Sequence, residues 1–168
     1  MSRRPFRLGR SLTGLGLFAT RPIKKRSRIA EYKGPLLTTK EALKAETRGN
    51  RYLYELNSRW TIDGSPRSNI ARYFNHSCNP NCETYDVKHR VFVRALRNIK
   101  PGEQLTYDYG RDYLKNVIGL SRCQCSRCRK RRARRALELR AMRKRRQQRL
   151  ARARKIARQS KARAAKRR

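Results

Sequence analysis

Residues 72–82, Arg72-Tyr73-Phe74-Asn75-His76-Ser77-Cys78-Asn79-Pro80-Asn81-Cys82, crowd amides, an imidazole, hydroxyls and two thiols into one short stretch. A connection between strands does not need that density of polar chemistry to fold, so the stretch reads as part of a site. A second run, Gln104-Leu105-Thr106-Tyr107-Asp108-Tyr109, reads as the end of a strand. It carries two tyrosines on one side of the pleat, because side chains alternate faces with period two. A third group, Cys123-Gln124-Cys125-Ser126-Arg127-Cys128, brings three thiols together. Cys125 and Cys128 have the spacing of a zinc knuckle, Cys123 adds a third sulfur, and zinc takes four ligands in a tetrahedron. In a reducing compartment such crowding points to metal ligation rather than disulfides.

The elements that must position these groups are short. Residues 1–12 are basic with little pattern and are expected to form an irregular arm. Leu15, Leu17 and Ala19 alternate with Gly16, Phe18 and Thr20, which predicts a strand entered through a turn. There Gly14 and Gly16, lacking Cβ atoms, allow the backbone to approach a ligand closely. Residues 29–32 predict a second strand, closed by Lys33-Gly34-Pro35. A capping hydroxyl, an early glutamate and good helix formers predict a helix from about Thr39 to Gly49-Asn50. Residues 51–56 and 60–63 form a hairpin pattern about Asn57-Ser58-Arg59, and residues 68–74 a short helix or turn leading into the polar stretch. Strands are expected over 83–89 and 90–96. A Pro101-Gly102 turn then delivers a strand over 106–109. Seven or eight short strands with little helix before residue 115 define a mostly β fold of small sheets.

These segments resemble those of a known family. Residues 72–82 resemble the R-F-x-N-H-S-C-x-P-N-C signature of SET-domain protein-lysine methyltransferases, and Glu103 to Tyr109 their E-x-L-T-x-D-Y strand. Gly14-Leu15-Gly16-Leu17-Phe18-Ala19 resembles the family's glycine turn, and Glu31-Tyr32-Lys33-Gly34 its E-Y-x-G strand end, with Pro35 where an acid is usual. All four stand in the family's order and cover roughly residues 7–128. The resemblance implies a β-clip fold in which the polar loop and the Tyr109 strand are threaded as a pseudoknot. It divides the chain into a SET domain (1–116), a post-SET-like zinc segment (117–130) and an Arg/Lys-rich tail (131–168).

The same resemblance implies methyl transfer from S-adenosylmethionine to the ε-amine of a protein lysine. Such chemistry needs a neutral amine, aligned with the donor and shielded from water. Tyr32, Tyr107 and Tyr109 are the residues the resemblance assigns to the lysine channel, Tyr109 next to the transferred methyl. Tyr107 stands where Phe or Tyr governs how many methyls are added, and its hydroxyl implies that monomethylation predominates. Gly14, Leu15, Gly16, Tyr52, Asn75 and His76 are assigned to the donor. Cys78 is implied as the fourth zinc ligand with Cys123, Cys125 and Cys128, and Cys82 is spare. The family's post-SET spacing is commonly C-x-C-x4-C, whereas this chain has C-x-C-x2-C.

Charge adds a partner class. Of 47 Lys and Arg, 21 lie in residues 129–168 against a single acid, Glu138, and the formal charge of the chain is +36. That distribution predicts polyanionic neighbours. The tail is rich in helix formers but thin in apolar residues, so it is expected to be helical fully only when phosphates neutralise it, or otherwise disordered. Without aromatic residues to stack on bases, its binding to nucleic acid should be sequence-indifferent and salt-sensitive. Acids that could attract a histone-like or ribosomal-type substrate are few: Asp108, Asp112 and Glu31. No apolar run approaches the ~20 residues of a membrane helix, and the N-terminus lacks a secretory pattern. The expectation is an intracellular monomer, cytoplasmic or nucleoid-associated if bacterial and nuclear if eukaryotic. Small size and the lack of a cysteine-rich segment ahead of the domain favour a bacterial or similarly minimal version. The competing class is a non-catalytic SET-like scaffold that binds nucleic acid through its tail.

Overall fold

In a computed structural model, which describes residues 4–165, strands β1 (Phe6–Ser11) and β2 (Gly14–Ala19) pair antiparallel, from Phe6 opposite Ala19 to Ser11 opposite Gly14. Of the arm expected over residues 1–12, residues 6–11 are therefore a strand, not irregular chain, and residues 1–3 lie outside the described residues. The charged residues of β1 sit on an exposed edge while Phe6 is buried, so backbone pairing and one aromatic anchor specify the strand where its side-chain pattern does not. The other edge of β2 pairs with residues 102–105. The Gly102 N–H donates to the Ala19 carbonyl, Ala19 to Glu103, and Leu105 to Leu17.

β9 (Arg90–Ala95) is the middle strand of a three-stranded sheet between β3 (Arg28–Tyr32) and β8 (Cys82–Val87). Its Val91, Val93 and Ala95 are buried on the core face. Arg90, Phe92 and Arg94 alternate to the other face, as the pleat requires. A two-residue turn joins β8 to β9, with Lys88 and His89 both at positive φ, 48° and 61°. A second three-stranded sheet has the order β4 (Leu36–Thr38), β6 (Trp60–Asp63), β5 (Leu53–Glu55). Between β4 and β5 lies α1 (Thr39–Thr47), started by a capping box in which Thr38 and Glu41 bond each other's backbone N–H. The helix and hairpin thus form where the sequence places them.

The smallest sheet positions the site. β7 (Asn75–His76) runs parallel to β10 (Thr106–Tyr107), Thr106 opposite Asn75 and Tyr107 opposite His76. Two of the motif segments therefore lie side by side, as the family pseudoknot requires. Among the described residues, ten short strands in four small sheets confirm the mostly β fold.

Two buried asparagines secure this arrangement. Asn81 donates from Nδ2 to the Gln104 carbonyl at 2.9 Å, and its Oδ1 accepts the Thr106 N–H at 2.9 Å. Asn69 accepts the N–H groups of Lys33 and Ala71 and donates to the Gly64 carbonyl. Each ties together backbone that strand pairing leaves unmatched, and a buried amide is stable only when so satisfied. Around them Leu17, Phe74, Val91, Val93, Ile99 and Leu105 form the solvent-free centre of the core.

The chain divides into two compact units, Met1–Arg127 and Cys128–Arg168. The second is helical: α3 (Ser126–Ala165) is continuous, and every side chain in residues 133–159 is exposed. The helix is rich in the helix formers Ala, Arg, Leu and Gln, and carries the Arg134–Glu138 pair one turn apart at 2.8 Å. No described helix is long and apolar enough to cross a membrane.

Replacing Asn81 by Leu leaves the Gln104 carbonyl and the Thr106 N–H buried without partners. From ~1–3 kcal/mol per such group, stability should fall by about 2 kcal/mol or more. Urea unfolding measures it; a change near zero would show that Asn81 is not a structural joint.

Candidate active site

Tyr107 leaves β10 pointing into a cluster of rings. Its centroid lies 4.9 Å from that of Tyr109 and 6.1 Å from that of Phe74. Tyr109 follows two residues later, past the end of the strand, so the two rings share a side as the period predicts. Tyr113, in the short helix α2 (Arg111–Tyr113), meets the Tyr109 ring edge-on at 5.2 Å and 83°. Tyr32 enters from the end of β3, donates its hydroxyl to the Tyr52 carbonyl at 2.9 Å, and lies 5.5 Å from the Tyr54 ring. Its ring fits because Gly64 leaves free the space a Cβ would occupy.

Burial raises the pKa of Tyr32, Tyr107 and Tyr109 far above the ordinary phenol value, and repulsion among the phenols adds to it. Tyr113 is shifted the same way. All four rings are neutral at physiological pH. The Tyr109 hydroxyl donates to the Phe74 carbonyl at 2.5 Å. The Tyr107 hydroxyl has no hydrogen-bond partner among the described residues.

Asn75 faces the glycine turn. Its Nδ2 donates to the Leu15 carbonyl at 3.0 Å and to the Ser11 hydroxyl at 3.1 Å. A Cβ on Gly16 would stand 2.7 Å from Gln104 Nε2 and 2.8 Å from Asn75 Nδ2, so any side chain there would have to displace those two amides. The result is a cluster of backbone and amide groups about the glycine turn. His76 lies beside it, its side chain almost fully buried. Nδ1 accepts the Tyr109 N–H at 3.2 Å, and Nε2 is 3.2 Å from Cys78 Sγ. The Asp108 carboxylate is 3.6 Å from Nδ1, but that nitrogen already accepts a proton donor. Burial lowers the His76 pKa, Asp108 opposing it only in part, so the contact is not an ion pair.

The sulfurs of Cys78, Cys123, Cys125 and Cys128 all lie within 4.8 Å of one another, Cys78 and Cys123 at 3.9 Å. A tetrahedral zinc with ~2.3 Å bonds sets its sulfurs about 3.8 Å apart, so the set fits zinc. The shortened C-x-C-x2-C spacing is accommodated because Cys128 sits in the first turn of α3. Arg127 Nη1 donates to the Cys78 carbonyl at 3.0 Å. Cys82 is a core residue, with its thiol pushed up to about 12 by burial.

The structure brings together Tyr107 with Tyr109, Asn75 with the Gly14-Leu15-Gly16 turn, and the four cysteines. Tyr52 lies just outside β5 with the Arg72 guanidinium 3.9 Å over its ring. Glu31 is held by Arg90 at 2.8 Å and Lys33 at 3.5 Å, which lowers its pKa and occupies it away from any substrate. Tyr113, Asn69 and Asn81 went unassigned in the sequence. An aromatic residue four places after Tyr109 was the available signal for Tyr113.

A family model for the SET domain matches residues 14–110. The chain belongs to the SET-domain family. It is 38% identical over 127 residues to histone-lysine N-methyltransferase trithorax of Drosophila virilis, covering 70% of this chain and 3% of that protein. It is 33% identical over 130 residues to human histone-lysine N-methyltransferase 2D, covering 71% of this chain and 2% of that protein. A Debaryomyces hansenii histone-lysine N-methyltransferase, H3 lysine-4 specific, is 32% identical, covering 73% and 12%. Among solved structures, a chain of ctPRC2 in complex with H3K27me3 and H3K27M superposes with a TM-score of 0.61 at 29% identity, covering 68% of this chain and 15% of that one. The chain thus spans a small fraction of each relative. These relatives are eukaryotic, and nothing among them supports the bacterial expectation.

Because the folded phenols have raised pKa values, their burial stabilises the protein fully below the unfolded phenol pKa of ~10 and is lost as pH rises above it. Ultraviolet titration should show Tyr32, Tyr107 and Tyr109 ionising only with alkaline unfolding. Tyr109→Phe should reduce that step alone; a reduced amplitude before unfolding would contradict the buried cluster.

Proposed function

We propose that this chain transfers a methyl group from S-adenosylmethionine to the ε-amine of a protein lysine. The carrying observation is the parallel pairing of β7 with β10, which puts the Asn75–His76 bend beside Tyr107 and Tyr109. Gly14, Leu15, Gly16, Tyr52, Asn75 and the His76 backbone hold the donor, which supplies an electrophilic methyl on a sulfonium. The catalytic body is residues 1–116, and residues 117–130 hold zinc through Cys123, Cys125 and Cys128 with Cys78.

Tyr32, Tyr107 and Tyr109 line the channel for the lysine. A free lysine has a pKa near ~10.4, and an apolar, ring-walled channel disfavours its ammonium form. The amine therefore gives its proton to solvent as it enters. Tyr109 is not the base: its phenol stays protonated, donates to the Phe74 carbonyl and leaves its oxygen lone pairs for the amine N–H groups. Tyr107, with its unpartnered hydroxyl, occupies space that a second methyl would need, so monomethylation predominates.

The exposed helix α3 tethers the enzyme to nucleic acid or to a nucleic-acid-bound substrate. Its support is the 21 basic residues against Glu138 over residues 129–168. The histone-lysine activity in the relatives' names favours a basic, chromatin-bound protein as substrate and a chromatin setting.

With isotope-labelled donor and core histones, Tyr109→Phe should lower turnover by ~10²-fold or more. Tyr107→Phe should shift the product from monomethyl toward di- and trimethyl-lysine in the mass spectrum. Unchanged turnover and product would reject both roles. Separately, DNA affinity should fall steeply with salt. Replacing the α3 arginines from Arg132 onward by glutamine in the full chain should abolish that affinity while leaving turnover on a short lysine peptide intact; retained DNA binding would remove the tethering role.

A further inference from the structure

The His76 imidazole has its two nitrogens on different parts of the molecule. Nδ1 accepts the Tyr109 N–H at 3.2 Å, and Nε2 stands 3.2 Å from Cys78 Sγ. The ring also meets the Tyr109 ring at 5.5 Å and 60°. A neutral imidazole has one acceptor and one donor nitrogen. With Nδ1 accepting from an amide, the proton must reside on Nε2, the nitrogen aimed at a sulfur of the four-cysteine cluster. A thiolate sulfur is the better acceptor for that N–H, and zinc binds thiolate. Tyr109 lies past the end of β10, so strand pairing does not fix its backbone. The His76 bond to its N–H does.

We propose that the His76 side chain is a positioning residue, a strut through which the cysteine cluster sets the place of Tyr109, and that it does not bind the methyl donor. Both ring nitrogens are engaged within the protein, so neither remains for a ligand. This rests on the proposed methyl transfer only for its kinetic consequence. Its structural content, the tautomer and the coupling between cluster and Tyr109, holds for any function of the site.

The ring of a metal ligand's neighbour is a common place for such control, and losing one outer partner typically costs ~10- to 100-fold in activity. Here the loss should fall on turnover rather than on donor affinity. The imidazole spans from a backbone amide to a sulfur, and an amide side chain, with its own acceptor and donor, can restore part of that span.

The test begins with the wild-type full chain loaded with zinc, in which only His76 and His89 have imidazole signals. Long-range proton–nitrogen correlation spectra should show His76 as the neutral Nε2–H tautomer at pH 7, and removing zinc with a chelator should shift the Tyr109 amide resonance. An Nδ1–H tautomer, a charged ring, or a Tyr109 amide indifferent to zinc overturns the strut without any variant. In the second arm, His76→Ala should lower kcat at least ~10-fold with less than a twofold change in calorimetric Kd for S-adenosylmethionine, and His76→Gln should recover part of kcat. A donor affinity that weakens in step with kcat would place the imidazole in the donor site and overturn the proposal. Failure of the wild-type chain to bind the donor at all would count against the proposed function, with the spectra still deciding the strut.

Discussion

Two residues on each side make the pairing on which the rest of this structure depends. β7 and β10 are separated by some thirty residues of chain, yet they run parallel for a single step, Asn75 by Thr106 and His76 by Tyr107. So short a ladder cannot hold itself, because a two-residue pair offers few hydrogen bonds against the entropy of closing the intervening loop. The Asn81 amide supplies what is missing by clamping the entry to β10 from both sides, and the Ser77 N–H adds a bond to the Tyr107 carbonyl at 3.0 Å. The apolar residues beneath, Phe74 and Leu105, are completely buried. The polar motif is thus a structural joint as much as a chemical one.

What the joint creates is a change of environment across a few ångströms. On one side lie four phenols whose burial keeps them neutral; on the other, the amide-lined glycine turn at Gly16. Positive charge of the +36 chain lies on the sheet arginines paired with Glu31 and Glu83, on Arg72 over the Tyr52 ring, and along α3.

Much of the site was legible because its residues are close in sequence and rare in combination. Tyr107 and Tyr109 share a side by strand period, and the cysteine spacing announces a metal. Elements specified by partners far along the chain were not legible. β1 has no clear alternation and exists because β2 offers it an edge. Asn69 and Asn81 look like ordinary turn residues until their backbone partners are known. Tyr113 lies in a segment with no strand or helix pattern, and only the fold turns its ring against Tyr109. For His76 the residue was evident, but the direction of its two nitrogens depends on Cys78 and Tyr109 together.

The central claim is that the glycine turn and the Asn75 bend form one pocket for a sulfonium donor. Calorimetric titration of the folded full chain with S-adenosylmethionine, beside a Gly16→Val protein of equal circular dichroism, tests it most directly. Saturable one-site binding by the first and none by the second is the predicted result. Absence of binding by the first, or equal binding by both, would contradict it.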